Sequence, residues 1–182
     1  FTYWKEIYHM KMTKELNQLF NEQIKLEYDS AFIYLAMSEW LNQNNWVGAG
    51  HWMEIQYREE LAHAEGFVRY LTMRGEPVEL LQLATAPKEW DSILDLFQAA
   101  LKHEEFISES INKMADQAEK DGDRASRLFL QWYINEQVEE EVNANDNVMG
   151  VDRTQGHIVG LLAFDDLKGT RKWTGEEVPL FS

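Results

Sequence analysis

Apolar residues recur every three to four positions along four long stretches of the chain, the period of an amphipathic α-helix that packs on one side. These stretches cover residues 13–41, 46–74, about 89–120 and about 124–148. Thr13 is a candidate cap for the first helix, and Gly75 is a candidate end for the second. A shorter, mostly apolar stretch at residues 157–168 predicts a fifth helix, and no stretch alternates as a strand does. The pattern therefore predicts an all-α protein with long helices of about 40 Å each.

The connections between these helices differ in length. Residues 42–45 and 121–123 are short turns, whereas residues 77–87 form a long link that holds two of the three prolines. Residues 150–156, with a glycine at each end, are expected to separate the fourth helix from the fifth. Short, long, short is the order of connections in a four-helix up-down bundle with one long crossover. We therefore expect such a bundle, with a short fifth helix at its C-terminal end, over residues 13–168.

Composition narrows the classes of function. The chain has 182 residues, enough for one domain with a sizeable core, and a formal net charge of −15. Such acidity disfavours nucleic acid and anionic membranes as partners and is compatible with attracting cations. Without cysteine there are no disulfides or thiolate metal sites, and no apolar run approaches the ~20 residues of a membrane span. We expect a cytoplasmic protein, with residues 1–12 as an extension or expression remnant and residues 169–182 as an irregular tail.

Each long helix carries a glutamate on its apolar stripe. These glutamates are Glu27, Glu60, Glu104 and, on the fourth helix, Glu136, with Glu139 and Glu140 following. Burying an unpaired carboxylate costs several kcal/mol at least, and carboxylates that face one another repel. The stripes hold no lysine or arginine that could offset these charges, so a pair of divalent cations is the partner that the pattern favours.

The segment Glu60-x-x-His63 adds a second kind of ligand. Residues three apart share one face of a helix, so both side chains can reach one ion. A carboxylate with an imidazole suits iron, manganese or zinc. This short motif is common by chance, and its weight comes from the glutamates on the other helices.

Four segments of the chain resemble the bacterial non-haem ferritins. They are residues 26–34, 59–63, 101–104 and 129–141, and the likeness extends over about residues 13–168. The resemblance implies a ferritin-like fold and two iron ions per subunit. The first iron would be held by Glu27, Glu60 and His63. The second would be held by Glu60, Glu104 and Glu140, with Gln137 close by. A neighbouring third iron site would be formed by Glu59, Glu136, Glu139 and Glu140.

Two aromatic residues match positions beside the di-iron centre of that family. The resemblance implies that Tyr34 and Trp132 act as one-electron donors, while ordinary core packing explains them equally well. Bacterioferritins differ, because they carry a second Glu-x-x-His on the fourth helix and a haem-binding methionine after the motif glutamate. This chain has no histidine in the corresponding residues 136–139 and has Leu61 in place of the methionine. No haem is therefore expected.

The implied function is that of an iron storage protein with ferroxidase activity. It would oxidise Fe²⁺ to Fe³⁺ with O₂ or H₂O₂ and store ferric mineral inside a hollow homo-oligomer of 24 subunits. One alternative is a di-iron oxidase or peroxidase of the rubrerythrin kind, although the cysteine-bound domain usual in rubrerythrins is missing. The other is a metal-free helical interaction module in which the glutamates are solvated.

Overall fold

The computed structural model describes residues 11–175 and 178–179 of the chain, which form five α-helices and no strand. The expected extension at residues 1–12 lies almost wholly outside this range. The helices are α1 (Lys14–Gln43), α2 (Val47–Arg74), α3 (Ile93–Lys120), α4 (Arg124–Asp152) and α5 (Ile158–Lys168). α1 packs chiefly on α2 and α3 on α4, and a long non-helical crossover joins the two pairs. The predicted bundle with one crossover and a short fifth helix is confirmed.

Side-chain and backbone caps fix the helix ends. The Thr13 hydroxyl accepts a hydrogen bond from the Leu16 amide at 3.2 Å, and Ser92 and Asp123 cap α3 and α4 in the same way. Gly75 ends α2 in the left-handed conformation, with φ of 68°. This backbone is costly for residues with a Cβ, so the sequence places glycine there.

The expected break at Gly150 is wrong, because α4 continues to Asp152. The reason is packing against α5. A Cβ at Gly150 would lie 2.9 Å from the ring of Phe164, so the glycine allows the aromatic ring to approach the helix instead of ending the helix. The fourth helix is therefore four residues longer than the pattern predicts.

The core is divided into two apolar clusters along the bundle. One is rich in aromatic rings and includes Phe20, Phe67 and Tyr70, whereas the other includes Met53 and Phe97. Between the two clusters lies one polar layer, to which each long helix contributes a buried glutamate. The two clusters thus enclose that layer from both ends of the bundle.

The crossover, residues 76–92, is attached to α1 through side chains. The Asn21 side chain accepts from the Glu79 amide at 2.7 Å and donates to the Pro77 carbonyl at 3.2 Å. Further along, the Ala84 amide donates to the Asp29 carboxylate at 2.8 Å. These bonds satisfy backbone groups that no helix or sheet pairs, so the crossover keeps a defined path.

α5 packs across the start of α2. The Ala49 amide donates to the Asp165 carboxylate at 2.7 Å, a favourable arrangement because helix N-terminal amides attract negative charge. The backbones approach closely at Gly48, where a Cβ would lie 1.9 Å from the Asp165 carbonyl oxygen. Among the described helices, none is both apolar and long enough to cross a membrane.

Replacing Gly48 with alanine is expected to displace α5. The added methyl group overlaps the Asp165 carbonyl, and overpacking of this kind costs about 1–3 kcal/mol. We expect a lower midpoint of thermal unfolding and faster hydrogen exchange in residues 158–168. The neighbouring Val47→Ala, whose side chain is 63% exposed, is the matched control. Unchanged exchange in α5 of the Gly48 variant would contradict this account of the contact.

Candidate metal centre

A layer of buried acidic side chains crosses the middle of the bundle. Glu27, Glu60, Glu104 and Glu140 are each at most 4% exposed, and His63 is 1% exposed. They come from α1, α2, α3 and α4, so each long helix contributes one carboxylate. The fold therefore brings these five side chains into the interior of the bundle.

Glu27, Glu60 and His63 form the tightest group in this layer. One ligand atom from each lies within 4.8 Å of the others, and His63 Nδ1 is 3.3 Å from a Glu60 carboxylate oxygen. Glu27 Oε1 accepts a hydrogen bond from Gln23 at 2.8 Å, whereas Glu27 Oε2 is buried with no hydrogen-bond partner in the described chain. A buried carboxylate oxygen without a donor is costly, and a cation at this point would remove that cost.

Aromatic side chains support His63 from α4. The Tyr133 hydroxyl donates to the His63 carbonyl oxygen at 2.8 Å, and the Tyr133 ring stacks on Phe67 with 4.0 Å between centroids. Trp132 meets the His63 ring edge-on at 5.6 Å. The Tyr133 hydrogen bond holds the His63 backbone, and the Trp132 ring restricts the orientation of the imidazole, a common requirement for metal ligands.

Glu104 lies beside the first group and is held by two donors. The Tyr34 hydroxyl donates to one carboxylate oxygen, and the Gln137 amide donates to the other at 3.1 Å. The same Gln137 amide lies 3.3 Å from the Ser108 hydroxyl. Tyr34 and Gln137 are thus brought to the acidic layer, next to one of its carboxylates.

α4 presents its acidic residues differently from the expectation. Glu140 is buried and accepts a hydrogen bond from Gln56 at 2.9 Å, whereas Glu136 is half-buried and Glu139 is exposed. The buried face of α4 includes positions 129, 130, 133, 137 and 140, so it passes through Gln137 and not through Glu136. Glu136 therefore lies at the edge of the buried layer.

Glu59, Glu136, Glu139 and Glu140 line a cavity of about 380 Å³ beside this layer, together with Trp132. We refer to it as the outer acidic pocket. Arg171, from the segment after α5, also lines it and forms an ion pair with Glu59 at 2.6 Å. Neither Arg171 nor Gln56 is predicted from the sequence. The tail has no periodicity that could reveal Arg171, and Gln56 is a polar residue on the buried face of α2, where the apolar pattern favours the neighbouring Tyr57.

Burial raises the pKa of all four buried carboxyl groups above the ordinary value of 4.5. Repulsion adds to this effect at Glu60, whose pKa is raised further by Glu104 and Glu27, and at Glu140, whose pKa is raised further by Glu104 and Glu60. Hydrogen bonds from Tyr34 and Gln137 partly offset the rise in the pKa of Glu104. The layer therefore resists becoming fully ionised, and positive charge would favour its ionised form.

A helical bundle with carboxylates from four helices and one histidine at its centre is similar to the carboxylate-rich metal sites of four-helix-bundle proteins. Its oxygen and imidazole donors fit iron or manganese better than soft metals. The Ferritin family model, described as a ferritin-like domain, matches residues 17–152. The chain belongs to the ferritin family.

Its relatives include proteins named bacterial non-heme ferritin. The one from Campylobacter jejuni is 38% identical over 130 residues, which is 71% of this chain and 78% of the relative. The one from Bacteroides fragilis is 31% identical over 160 residues, covering 88% of this chain and 99% of the relative. The resemblance to bacterial non-haem ferritins is confirmed.

Solved structures give the same fold. An open pore ferritin from the archaeon Archaeoglobus fulgidus superposes with a TM-score of 0.87 at 33% identity, covering 88% of this chain and 98% of that one. A humanized archaeal ferritin gives a TM-score of 0.89 at 31% identity, with 91% and 100% covered. These values extend the similarity well beyond the segment that the family model matches.

The metal-free protein is expected to gain stability from Glu60→Gln as the pH rises. Because the folded state raises the pKa of Glu60, it binds this proton more tightly than the unfolded state, and ionisation above about pH 4.5 destabilises the fold. The glutamine variant does not ionise, so its advantage should be large near pH 8 and disappear as the pH approaches 4.5.

Urea unfolding of the metal-free protein across this pH range measures the effect. Glu105→Gln, at an exposed position of α3, is the control and should change stability little at any pH. An advantage of Glu60→Gln that is the same at both ends of the range would contradict the explanation.

Proposed function

We propose that this protein stores iron and has ferroxidase activity, oxidising Fe²⁺ to Fe³⁺ at a di-iron centre within each subunit. The carrying observation is the buried group of Glu27, Glu60 and His63, with an unbonded oxygen on Glu27. A purely structural role for these residues would leave buried carboxyl groups facing one another, with only the Gln23 hydrogen bond and the His63 imidazole among the described residues to offset their charge. Membership of the ferritin family supports the choice of iron.

In this proposal Glu60 is shared by the two iron ions. Glu27, Glu60 and His63 hold the first, and Glu60, Glu104 and Glu140 hold the second, with Gln137 adjacent. Glu60 suits a bridge because one of its carboxylate oxygens lies within 4.8 Å of the ligand atoms of Glu27 and His63. Repulsion from Glu104 also raises the pKa of Glu60, so Glu104 faces it as well. The two cations offset the repulsion that otherwise raises the pKa of these carboxyl groups.

Oxygen or hydrogen peroxide is the proposed oxidant and accepts one electron from each Fe²⁺ ion. The apolar clusters on both sides of the acidic layer exclude bulk water from the reaction. Fe³⁺ is the product, which leaves to hydrolyse and form mineral. The residues of the chain supply the carboxylates that favour the more highly charged product ion.

Tyr34 and Trp132 are proposed as additional one-electron donors. The Tyr34 hydroxyl already donates a hydrogen bond to Glu104, and burial raises its pKa well above 10.0, so the phenol stays protonated. Loss of an electron from Tyr34 can therefore be accompanied by transfer of its proton to Glu104. Trp132 lies edge-on to His63, close enough to exchange an electron with the same centre.

Removing the shared ligand and the histidine is expected to abolish rapid iron oxidation. The double variant Glu60→Ala, His63→Ala should lower the initial rate of Fe²⁺ oxidation on the order of 100-fold or more, since it removes ligands outright. Stopped-flow absorbance of the ferric product measures the rate, and anaerobic Fe²⁺ titration measures binding. Glu65→Ala, exposed on the same helix, is the matched control. An unchanged rate in the double variant would refute the ferroxidase proposal.

Storage in a shell of 24 subunits is the second part of the proposal. α5 buries Phe164 but exposes four aliphatic residues, Ile158, Val159, Leu162 and Leu167. An apolar patch of this kind on a single subunit is typical of an assembly surface. The resemblance to ferritins favours a hollow shell as the assembly. In this shell the fifth helices of neighbouring subunits would meet one another.

Charging this patch is expected to prevent assembly while leaving the metal centre intact. Val159→Lys with Leu162→Lys places two like charges where subunits would meet. Light scattering should report a small species, and aerobic loading should leave no retained iron, although anaerobic Fe²⁺ binding persists. Asp116→Lys, exposed on α3, is the control and should assemble normally. Full-size shells from the double lysine variant would refute the assigned role of α5.

A further inference from the structure

Part of the segment after α5 lines the outer acidic pocket. Thr174 and Gly175 line this cavity together with Arg171, and glutamates from α2 and α4 line the rest of it. Arg171 is the single basic residue among the described residues that line it. The irregular tail thus places a positive charge beside Glu59.

Several separate contacts hold Arg171 in place. Its guanidinium donates to Glu59 at 2.6 Å and to the Gln56 side-chain oxygen at 2.5 Å. The same group lies 4.5 Å from the centroid of the Trp52 ring, within the range of a cation–π contact. The backbone carbonyl of Arg171 lies 2.9 Å from His51 Nε2. Arg171 is therefore docked by both side chain and backbone rather than left on the surface.

Gln56 links this docked arginine to the buried layer. Because the Gln56 oxygen accepts from Arg171, its amide nitrogen points the other way, and it donates to Glu140 at 2.9 Å. Gln56 is completely buried, so its amide has few other orientations that satisfy both ends. The position of Arg171 thereby fixes the orientation of the amide that donates to Glu140, a carboxylate shared by the pocket and the buried layer.

We propose that Arg171 is a built-in cation that closes the outer acidic pocket, so that a divalent metal ion binds there only by displacing the guanidinium from Glu59 and releasing residues 169–175. This inference rests on the proposed iron chemistry at the inner centre. While the tail is docked, Arg171 occupies Glu59 and thereby limits metal uptake to the two inner ions.

Electrostatics supports competition rather than joint occupancy. Glu59 is largely buried, at 14% side-chain exposure, so its charge needs a close partner. A guanidinium at 2.6 Å satisfies that requirement, and a divalent ion sharing the same carboxylate would be repelled by it. When the guanidinium leaves, the Gln56 oxygen loses its donor, so the Gln56 side chain is free to reorient beside Glu140, which lines the pocket.

The test is an anaerobic calorimetric titration with Zn²⁺, which needs no oxidation, on the whole protein. We expect the wild-type protein to bind two ions per subunit tightly and a third at least about tenfold more weakly than Arg171→Ala does. Arg171→Gln, which keeps a polar side chain without charge, should behave like the alanine variant. Lys172→Ala, exposed at the next position, is the matched control and should resemble the wild type.

Two further measurements separate gating from general loosening of the tail. Adding Glu59→Gln to Arg171→Ala should abolish tight binding of the third ion, because the carboxylate that the ion takes over from Arg171 is then missing. Hydrogen exchange of residues 169–175 in the wild type should rise when Zn²⁺ exceeds two ions per subunit and not before.

Equal third-ion affinity in the wild type and Arg171→Ala, or exchange that is unaffected by excess Zn²⁺, would overturn the role of Arg171. Neither result touches the inner centre, which is judged by whether Glu60→Ala, His63→Ala loses the first two ions. Failure of the gate and failure of the ferroxidase proposal are thus distinguishable.

Discussion

The concentration of negative charge in a dry interior is the constraint on which this bundle depends. Four carboxylates, one from each long helix, lie at most 4% exposed between two apolar clusters. Their raised pKa values express the cost, because burial and mutual repulsion both oppose ionisation. Such an arrangement is poor design for stability alone. It is understandable when positive ions are brought to it, which connects the architecture of the fold directly to the proposed handling of iron.

The neighbours of the acidic layer limit how it can respond. Tyr34 and Gln137 hold Glu104 from two sides, while Tyr133 fixes the backbone next to His63. Glu27 is different, since one of its oxygens has no hydrogen-bond partner among the described residues. The layer thus combines carboxylates that are already positioned with one that is incompletely satisfied. Preorganisation of this kind lowers the cost of rearrangement when a cation binds.

Helical periodicity predicted the parts of the molecule that depend on one-sided burial. It located the helices, and it identified Glu27, Glu60 and Glu104 as anomalies on apolar stripes. It was less accurate on α4, where several glutamates follow one another and a shift of one position changes which one is buried. It could not reveal Arg171, because a side chain delivered by an irregular tail leaves no periodic signal. Gly150 misled for a related reason, since close packing against Phe164 and helix termination both select glycine.

The attachment of the crossover to α1 has a consequence for how related chains can vary. Asn21 and Asp29 fix the backbone near Glu79 and Ala84, so these two points are fixed contacts along the crossover. Insertions and deletions should therefore be tolerated best at residues 85–89, between Ala84 and Trp90, whose ring packs edge-on against Trp40 of α1 with 6.1 Å between centroids. Changes of length between Glu79 and Ala84 would shift one of these two contacts relative to the other. Natural length variation in this connection is expected to concentrate in its second half.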